Sequence, residues 1–166
     1  MMKAHMTNGT LDFLLKLEEK YPKISFYFMT SNSGALAYYE NSDKKVFSAG
    51  RTYEIVKQSG DFIKKAYIVM NTITVNEEDQ VVYEDRLKNN LVNKIDDCHA
   101  YRFLKPVKGN KFVILTIWKS VDSFNNWKRS QRFQDAQKIM QTETPAYPND
   151  LPFTTSYFLY EKEEAN

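Results

Sequence analysis

The segment from 112 to 118, Phe112-Val113-Ile114-Leu115-Thr116-Ile117-Trp118, is an almost unbroken run of apolar residues. A run of this length, rich in β-branched and aromatic residues, predicts a strand that is buried on both faces. The residues just before it, Lys108-Gly109-Asn110-Lys111, have the composition of a hairpin turn. We therefore expect residues 99–105, on the other side of the turn, to form its antiparallel partner strand.

The elements on either side of this hairpin predict a β-α-β-β-α-β order. Residues 65–75 alternate as a strand does, and a helix over 79–93 places Tyr83, Leu87 and Leu91 on one face. After the hairpin, the order is completed by a helix capped at Ser120, a helix over 131–142 and a strand over 154–161. This order is the ferredoxin-like arrangement, in which helices cover one face of an antiparallel sheet.

The first 64 residues predict a smaller α+β unit. Its expected elements are strands over 2–7, 25–30, 35–40 and 46–49 and helices over 10–20 and 52–58. Residues 61–65 are charged and lack the Gly and Ser content of a flexible linker, so the two halves should pack together. The predicted domains are 1–64, an N-terminal α+β extension, and 65–166, the ferredoxin-like domain. Because the open face of that sheet needs a cover, we expect the extension to pack on it.

Composition excludes several classes of protein. The chain has 166 residues, 42% of them hydrophobic and 27% charged, as in an ordinary globular protein. Its formal charge of +2 is too small to predict a nucleic-acid surface. No run of about 18 apolar residues predicts a membrane span. A single cysteine, Cys98, and the lack of a signal-peptide pattern predict a reduced, cytoplasmic compartment.

Two counts bear on possible ligands. Aromatic residues make up 14% of the chain, which is typical of packed sheets and also compatible with a flat aromatic ligand. Histidine is scarce, since only His5 and His99 occur. A metal site in this chain therefore has at most two imidazoles to draw on.

Three segments carry a family resemblance: Asn71-Thr72-Ile73-Thr74-Val75, Ile114-Leu115-Thr116-Ile117-Trp118-Lys119-Ser120, and Phe124-Asn125-Asn126-Trp127-Lys128-Arg129-Ser130. In them the chain resembles the antibiotic-biosynthesis-monooxygenase (ABM) superfamily and, within it, the IsdG-type haem-degrading monooxygenases. The whole-chain layout is similar to that of HmoB-like proteins and of TRAP-like proteins. The resemblance implies an ABM ferredoxin-like core. It also implies an enzyme that opens the porphyrin with O2 and a reductant and releases iron.

The resemblance assigns roles to three residues. Asn71 corresponds to the family's hydrogen-bond donor on the first core strand, and Trp127 to the tryptophan that distorts the macrocycle. Gln137 stands ten residues after Trp127, where the family has the histidine that ligates the iron. A glutamine amide oxygen is a poorer haem ligand than imidazole, so the metal ligand stays open. From pattern alone, Asn71 is also compatible with a strand edge, Trp127 with the core and Gln137 with a solvated helix face.

Three more candidates follow from their offsets. The resemblance implies that Leu87 forms a wall of the haem pocket and that Met140, one turn beyond Gln137, lies at the haem edge. The thioether of Met140 is an alternative axial ligand. Arg86 is suited to a haem propionate, because a guanidinium forks onto a carboxylate, but it is equally compatible with an ordinary surface arginine. His99, at the start of a strand, is expected on the surface or in a cap.

Two functions from different classes remain open. The first is a haem-degrading monooxygenase, an oxidoreductase in which haem is both the substrate and the oxygen-activating centre and an external electron donor supplies electrons. The alternative is a non-catalytic TRAP-like regulatory or haem-binding protein, which the glutamine at position 137 favours. The oligomeric state is open as well. The extension permits a monomer by covering the sheet, and a homodimer is the other possibility.

Overall fold

Eight strands form one closed antiparallel barrel in the computed structural model of the chain, which describes residues 2–41, 45–142 and 150–161. The strands are β1 (Lys3–Gly9), β2 (Tyr27–Ser31), β3 (Gly34–Asn41), β4 (Arg51–Ser59), β5 (Tyr67–Thr74), β6 (Ala100–Pro106), β7 (Lys111–Trp118) and β8 (Phe153–Leu159). Their order around the barrel is β1-β3-β2-β8-β5-β7-β6-β4. Because β4 returns to β1, the described sheet has no free edge.

The helices cover the barrel on two sides. They are α1 (Leu11–Lys20), α2 (Gln80–Arg86), α3 (Val92–Ile95), α4 (Val121–Lys128) and α5 (Gln131–Met140). Helix α1 lies over β2 and β3, whereas α2 to α5 cover β5, β6 and β7. Between α2 and α3 the chain makes a π-helical turn at Leu87–Leu91. No helix in the described part of the chain combines the length and apolar character needed to cross a membrane.

The two halves of the barrel have the same strand order. In the N-terminal half the order is β4-β1-β3-β2, and in the C-terminal half it is β8-β5-β7-β6. Both are the fourth, first, third and second strand of the half, which is the ferredoxin-like order. At both seams the second strand of one half pairs with the fourth strand of the other, β2 with β8 and β6 with β4. The fold is thus two copies of one topology joined in a ring.

One interior core is shared by all eight strands. Side chains from alternate positions fill it, among them Met6, Met29, Leu36, Tyr38, Tyr53, Ile68, Met70, Leu104, Leu115 and Tyr157. The α+β, ferredoxin-like class is therefore confirmed, and the extension covers the sheet by continuing it at both edges. Since the two halves share this core, the division at residues 64 and 65 stays a prediction.

The predicted helix over 52–58 is wrong, because this segment is strand β4. Its residues include Thr52, Tyr53, Ile55 and Val56, which are β-branched or aromatic and favour strands. Tyr53 and Ile55 point into the interior core, and β4 pairs with β1 on one side and β6 on the other. The two partner strands are distant in sequence, so their effect is not visible in a local pattern.

The predicted strand over 46–49 is also wrong, because these residues have no regular structure. The backbone N–H of Val46 donates to the hydroxyl of Tyr39 at 2.8 Å. Phe47 is buried with Tyr39 in the cluster beneath α1. The segment is therefore held by one side-chain hydrogen bond and one buried ring instead of by strand pairing.

An ion pair inside the barrel ties the two halves together. Arg102 of β6, 3% exposed, donates from Nε to Oε2 of Glu40 of β3 at 2.7 Å. The hydroxyl of Tyr38 donates to the same oxygen at 2.7 Å. Burial and the neighbouring Glu40 carboxylate raise the pKa of Tyr38 well above its usual value, so it acts as a donor at neutral pH.

Candidate functional site

A cavity of about 500 Å³ lies where the end of α5 meets β5 and β8. None of its described lining residues is charged, and three carry side-chain amides, so we call it the amide pocket. Its described lining consists of Asn71, Thr72, Ile73, Gln137, Met140, Gln141, Thr142, Leu151, Pro152, Phe153 and Thr154. The structure thus brings together three of the predicted site residues, Asn71, Gln137 and Met140.

Asn71 lies on the outer face of β5, in the same row as the buried Val69 and Ile73. The residue opposite on β8 is Thr154, whose hydroxyl donates to Oδ1 of Asn71 at 2.8 Å. Because Oδ1 is engaged, the Nδ2 amino group is the part of the side chain left to a ligand, and no described residue accepts from it. Asn71 is therefore oriented as a hydrogen-bond donor on the wall of the amide pocket.

Gln137 and Met140 are presented by one face of α5, since they are three residues apart. Helix α5 is fixed at its start by Ser130, whose hydroxyl accepts from the N–H of Phe133 at 3.3 Å. Gln137 is exposed, and its side-chain amide forms no hydrogen bond with a described residue. Met140 is 5% exposed, and its carbonyl accepts from the hydroxyl of Tyr83 at 2.7 Å.

Arg86 supports the amide pocket from behind and does not line it. Its Nη2 donates to the carbonyl of Gln141 at 3.0 Å, and its guanidinium lies 5.0 Å from the centre of the Tyr83 ring. A cation at the carbonyl of the first residue past α5 stabilises that end of the helix. Its predicted contact with a propionate stays a prediction.

Trp127 and Leu87 lie outside the described lining of the amide pocket. Trp127 is 4% exposed, and its Nε1 donates to the carbonyl of Lys94 at 2.7 Å. Its ring packs against those of Phe133 and Trp118, with centroids 5.2 and 5.1 Å apart. Leu87 is fully buried in the π-helical turn, which packs against α5. Both residues belong to the layer that positions α4 and α5, and their predicted contacts with a ligand stay predictions.

Strong metal ligands are missing from the described lining. His5 is buried in the N-terminal half, and His99 is exposed just before β6. Burial raises the pKa of the Cys98 thiol to about 12, so it carries no thiolate at neutral pH. In residues 2–41, 45–142 and 150–161, no three His, Cys, Asp or Glu side chains cluster as a metal site. The donors left in the described lining are the amide oxygens of Gln137 and Gln141, the sulfur of Met140 and threonine hydroxyls.

Sequence reasoning missed the contribution of β8 and of the residues after α5. Phe153 and Thr154 come from β8, and Gln141 and Thr142 follow α5. The ferredoxin-like order could have indicated that the last strand lies beside β5. The register that sets Thr154 opposite Asn71 has no signal in the sequence.

Comparisons with known proteins agree on the kind of domain. Residues 66–139 match the family model described as antibiotic biosynthesis monooxygenase. A heme-degrading monooxygenase of Listeria monocytogenes is 24% identical over 143 residues, covering 85% of this chain and 86% of that protein. The signal transduction protein TRAP of Staphylococcus aureus strain RF122 is 23% identical, covering 81% and 82%. The crystal structure of a monooxygenase-like protein from Listeria innocua superposes with a TM-score of 0.80 at 21% identity, covering 98% of this chain and 96% of that one.

Proposed function

We propose, from the premise that residues 66–139 form an antibiotic-biosynthesis-monooxygenase domain, that this chain is a haem-degrading monooxygenase. Haem would be the substrate and would supply the redox chemistry, and an external reductant would supply electrons for the reaction with O2. The protein would bind the macrocycle in the amide pocket and would release iron when the ring is opened.

One observation carries this proposal. A single cavity is lined by Asn71, Gln137 and Met140, although Asn71 and Met140 are 69 residues apart in the sequence. They are three of the positions to which the family resemblance assigns contact with haem. A set of unrelated surface residues has no reason to converge in this way.

The lining fits the ring of haem better than it fits the iron. A cavity of 500 Å³ is within the range of about 300–1,000 Å³ typical of small-molecule sites. Its apolar residues suit a flat macrocycle: Ile73, Met140, Leu151, Pro152 and Phe153. For the iron the described lining offers the amide oxygens of Gln137 and Gln141, the sulfur of Met140 and threonine hydroxyls, with water as a further ligand. The described lining holds no cation for a propionate; Arg86, the candidate for that role, would have to turn from the carbonyl of Gln141 to reach one.

Residues in the amide pocket and behind it have different parts in this function. The Nδ2 group of Asn71, oriented by Thr154, donates a hydrogen bond where negative charge develops on oxygen as it is reduced. The buried side chains of Ile73 and Met140 keep water from that side of the pocket. Tyr83 and Arg86 fix the end of α5, so that Gln137 and Met140 keep their places.

The test is a titration of the purified protein with haemin, followed by ascorbate. We expect a saturable shift of the Soret band, then bleaching of that band with release of iron to a chelator. The variant Asn71→Ala should bind haemin and lose most of the bleaching. Gln137→Ala should weaken binding, whereas Gln134→Ala, an exposed amide one turn away that does not line the cavity, should not. Absence of saturable binding at micromolar protein would refute the proposal.

The described donor set also supports a second candidate, a TRAP-like protein that binds haem or regulates without catalysis. The observation in its favour is that no imidazole lines the described part of the amide pocket. A haem-binding form would bind haemin saturably, and ascorbate would leave the Soret band in place over many hours, whereas a regulator that does not bind haem would show no saturable shift. The same titration therefore separates the two functions.

A further inference from the structure

A second cavity, of about 560 Å³, lies outside β1 and β4 of the N-terminal half and beneath the turn between β6 and β7. Five cationic side chains line it, Lys3, Lys45, Arg51, Lys108 and Lys111, and we call it the basic pocket. They come from β1, from the segment before β4, from the start of β4, from the β6–β7 turn and from the start of β7. The fold therefore gathers them from three separate parts of the chain: residue 3, residues 45–51 and residues 108–111.

Most of this positive charge has no acidic ion-pair partner among the described residues. The whole chain has a formal charge of only +2, and none of the described lining residues of the basic pocket is acidic. Lys3, Lys45 and Lys108 form no ion pair with any described residue. Asp150 lies 3.7 Å from the ammonium of Lys111 but does not line the cavity. Like charges held together repel one another, and a bound anion would relieve that repulsion.

Two of the cations are held in place by hydrogen bonds. Arg51 donates from Nη2 to Oδ1 of Asn8 at 2.8 Å, and Lys111 donates from Nζ to the hydroxyl of Thr74 at 2.9 Å. Asn8 is neutral and Arg51 forms no ion pair with a described residue, whereas the charge of Lys111 is shared with Asp150. Orienting a guanidinium and an ammonium in advance lowers the entropy lost when an anion binds.

His5 forms part of the wall of the basic pocket and is 1% exposed. Its Nε2 lies 3.1 Å from Oδ1 of Asn41, its Nδ1 lies 3.0 Å from the hydroxyl of Thr52, and its ring stacks on Tyr39. Because both ring nitrogens are engaged, the imidazole acts as a fixed polar wall. The chemistry of the basic pocket is therefore that of anion binding, with the five cations as its recognition groups.

We propose that the basic pocket binds a small oligophosphate, a molecule with two or three linked phosphate groups. Linked phosphates bring several negative charges into one small molecule, which suits a pocket where four cations have no described ion-pair partner and the fifth, Lys111, is shared with Asp150. Lysine binds phosphate as a point charge, and arginine forks onto two of its oxygens. His5 and Tyr53, the aromatic residues of the described lining, are buried, so no exposed ring is offered to stack a nucleobase. The inference does not depend on the proposed function.

The experiment is isothermal titration of the full chain at low ionic strength with orthophosphate, pyrophosphate and tripolyphosphate. We expect one site, with affinity rising along that series by at least about tenfold in total, or about 1.4 kcal/mol. Each of the variants Lys3→Gln, Lys45→Gln and Lys108→Gln should weaken tripolyphosphate binding about threefold, as the loss of an exposed charge pair does. Lys16→Gln, an exposed lysine of α1 that removes the same charge elsewhere, is the matched control and should have no effect.

Three outcomes would overturn the proposal. These are no saturable heat at any phosphate number, equal affinity for orthophosphate and tripolyphosphate, and an equal loss in Lys16→Gln and in the pocket variants. Thermal unfolding of each variant shows whether it is folded, and a rise in melting temperature with tripolyphosphate is a second readout of binding. ATP as a further ligand separates the sources. ATP binding more tightly than tripolyphosphate would assign the site to a nucleotide and contradict the inference that no ring of the lining stacks a nucleobase. Saturating the protein with haemin should leave the tripolyphosphate affinity unchanged, whether or not haem is degraded.

Discussion

The amide pocket and the basic pocket lie in corresponding places of the two halves and have opposite chemistry. Each lies outside the first and fourth strands of its half, β5 and β8 in one case and β1 and β4 in the other. Their volumes are close, about 500 and 560 Å³. Yet the described lining of the first has no charged residue, and that of the second has five cations. The same pairing of first and fourth strands thus carries an uncharged site in one half and a cationic site in the other.

The difference begins with the connection between the third and fourth strands. In the C-terminal half this connection contains α4 and α5, and α5 brings Gln137 and Met140 to the cavity. In the N-terminal half the described residues of the connection, 45–50, are irregular and bring Lys45. The strands set the position of each site. The connection adds Gln137 and Met140 to the amide pocket and one cation, Lys45, to the basic pocket.

The two halves also share one side-chain hydrogen bond, which mutation can test. In each half, an outward-facing polar residue of the first strand bonds the threonine opposite it on the fourth strand. The pairs are Asn71 with Thr154 at 2.8 Å and His5 with Thr52 at 3.0 Å. His5 is almost fully buried, whereas Asn71 is partly exposed and faces the cavity.

The largest expected effect is on the free energy of unfolding and concerns the layer of helices α2 to α5, which distinguishes the two halves. Trp127→Ala should lower the free energy of unfolding by about 3–5 kcal/mol, since a large buried ring and its hydrogen bond to Lys94 are lost. Phe47→Ala, which removes the buried ring of the shorter connection, should cost less. Urea denaturation followed by circular dichroism measures both, and a larger loss for Phe47→Ala would reverse the ranking. Trp127→Phe should keep haemin affinity if Trp127 acts only in packing.

The next effect comes from the two threonine pairs. Thr52→Val should cost about 1–3 kcal/mol, because it leaves Nδ1 of the buried His5 without this hydrogen bond. Thr154→Val should change stability by less than about 0.5 kcal/mol, because Asn71 is within reach of water. Thr154→Val should instead reduce haem turnover by freeing Asn71. Equal stability losses in urea denaturation would show that the two pairs are equivalent.

A smaller effect is expected from placing an imidazole in the amide pocket. Gln137→His should tighten haemin binding about tenfold, or about 1.4 kcal/mol, by supplying a better axial ligand. It should also give a cleaner five-coordinate ferric spectrum. Gln134→His adds the same group on a part of α5 that does not line the cavity and is the control. An unchanged spectrum in Gln137→His would mean that position 137 does not face the iron.

The smallest expected change is the response of haem binding to salt. Raising ionic strength from about 0.01 M to 0.15 M shortens the Debye length from about 30 to 8 Å. Haemin affinity in the uncharged amide pocket should therefore change little, whereas tripolyphosphate affinity in the basic pocket should fall steeply. Titrations at several salt concentrations compare the two slopes, and parallel slopes would remove the contrast between the pockets.

Much of the C-terminal half could be predicted from local patterns. The apolar run 112–118, the turn before it and the helical spacing of Tyr83, Leu87 and Leu91 each indicated the right element. By contrast, β4 was mistaken for a helix because its strand character depends on β1 and β6, which lie far away in the sequence. Barrel closure is a property of such distant pairings and has no local signal.

The site could be predicted only in part, for the same reason. The family resemblance pointed to Asn71, Gln137 and Met140, and the structure brings these to one cavity. It also pointed to Trp127 and Leu87, which the structure places in the packed layer behind α5. Thr154 was missed because its position depends on strand register. The basic pocket was missed because its cations come from three distant parts of the sequence that only the folded chain brings together.

Joining the halves in a ring has a consequence for how the chain acquires its structure. Strand β2 meets its outer partner only when β8, the last strand, has been made, and Met29 pairs with Leu159. Until then a chain emerging from the ribosome exposes the edge of β2 to other chains, whereas β4 can pair as soon as β6 has been made. The many distant pairings also slow folding. We expect refolding of the full chain to be slow and sensitive to protein concentration, with the closing of this seam as its late step.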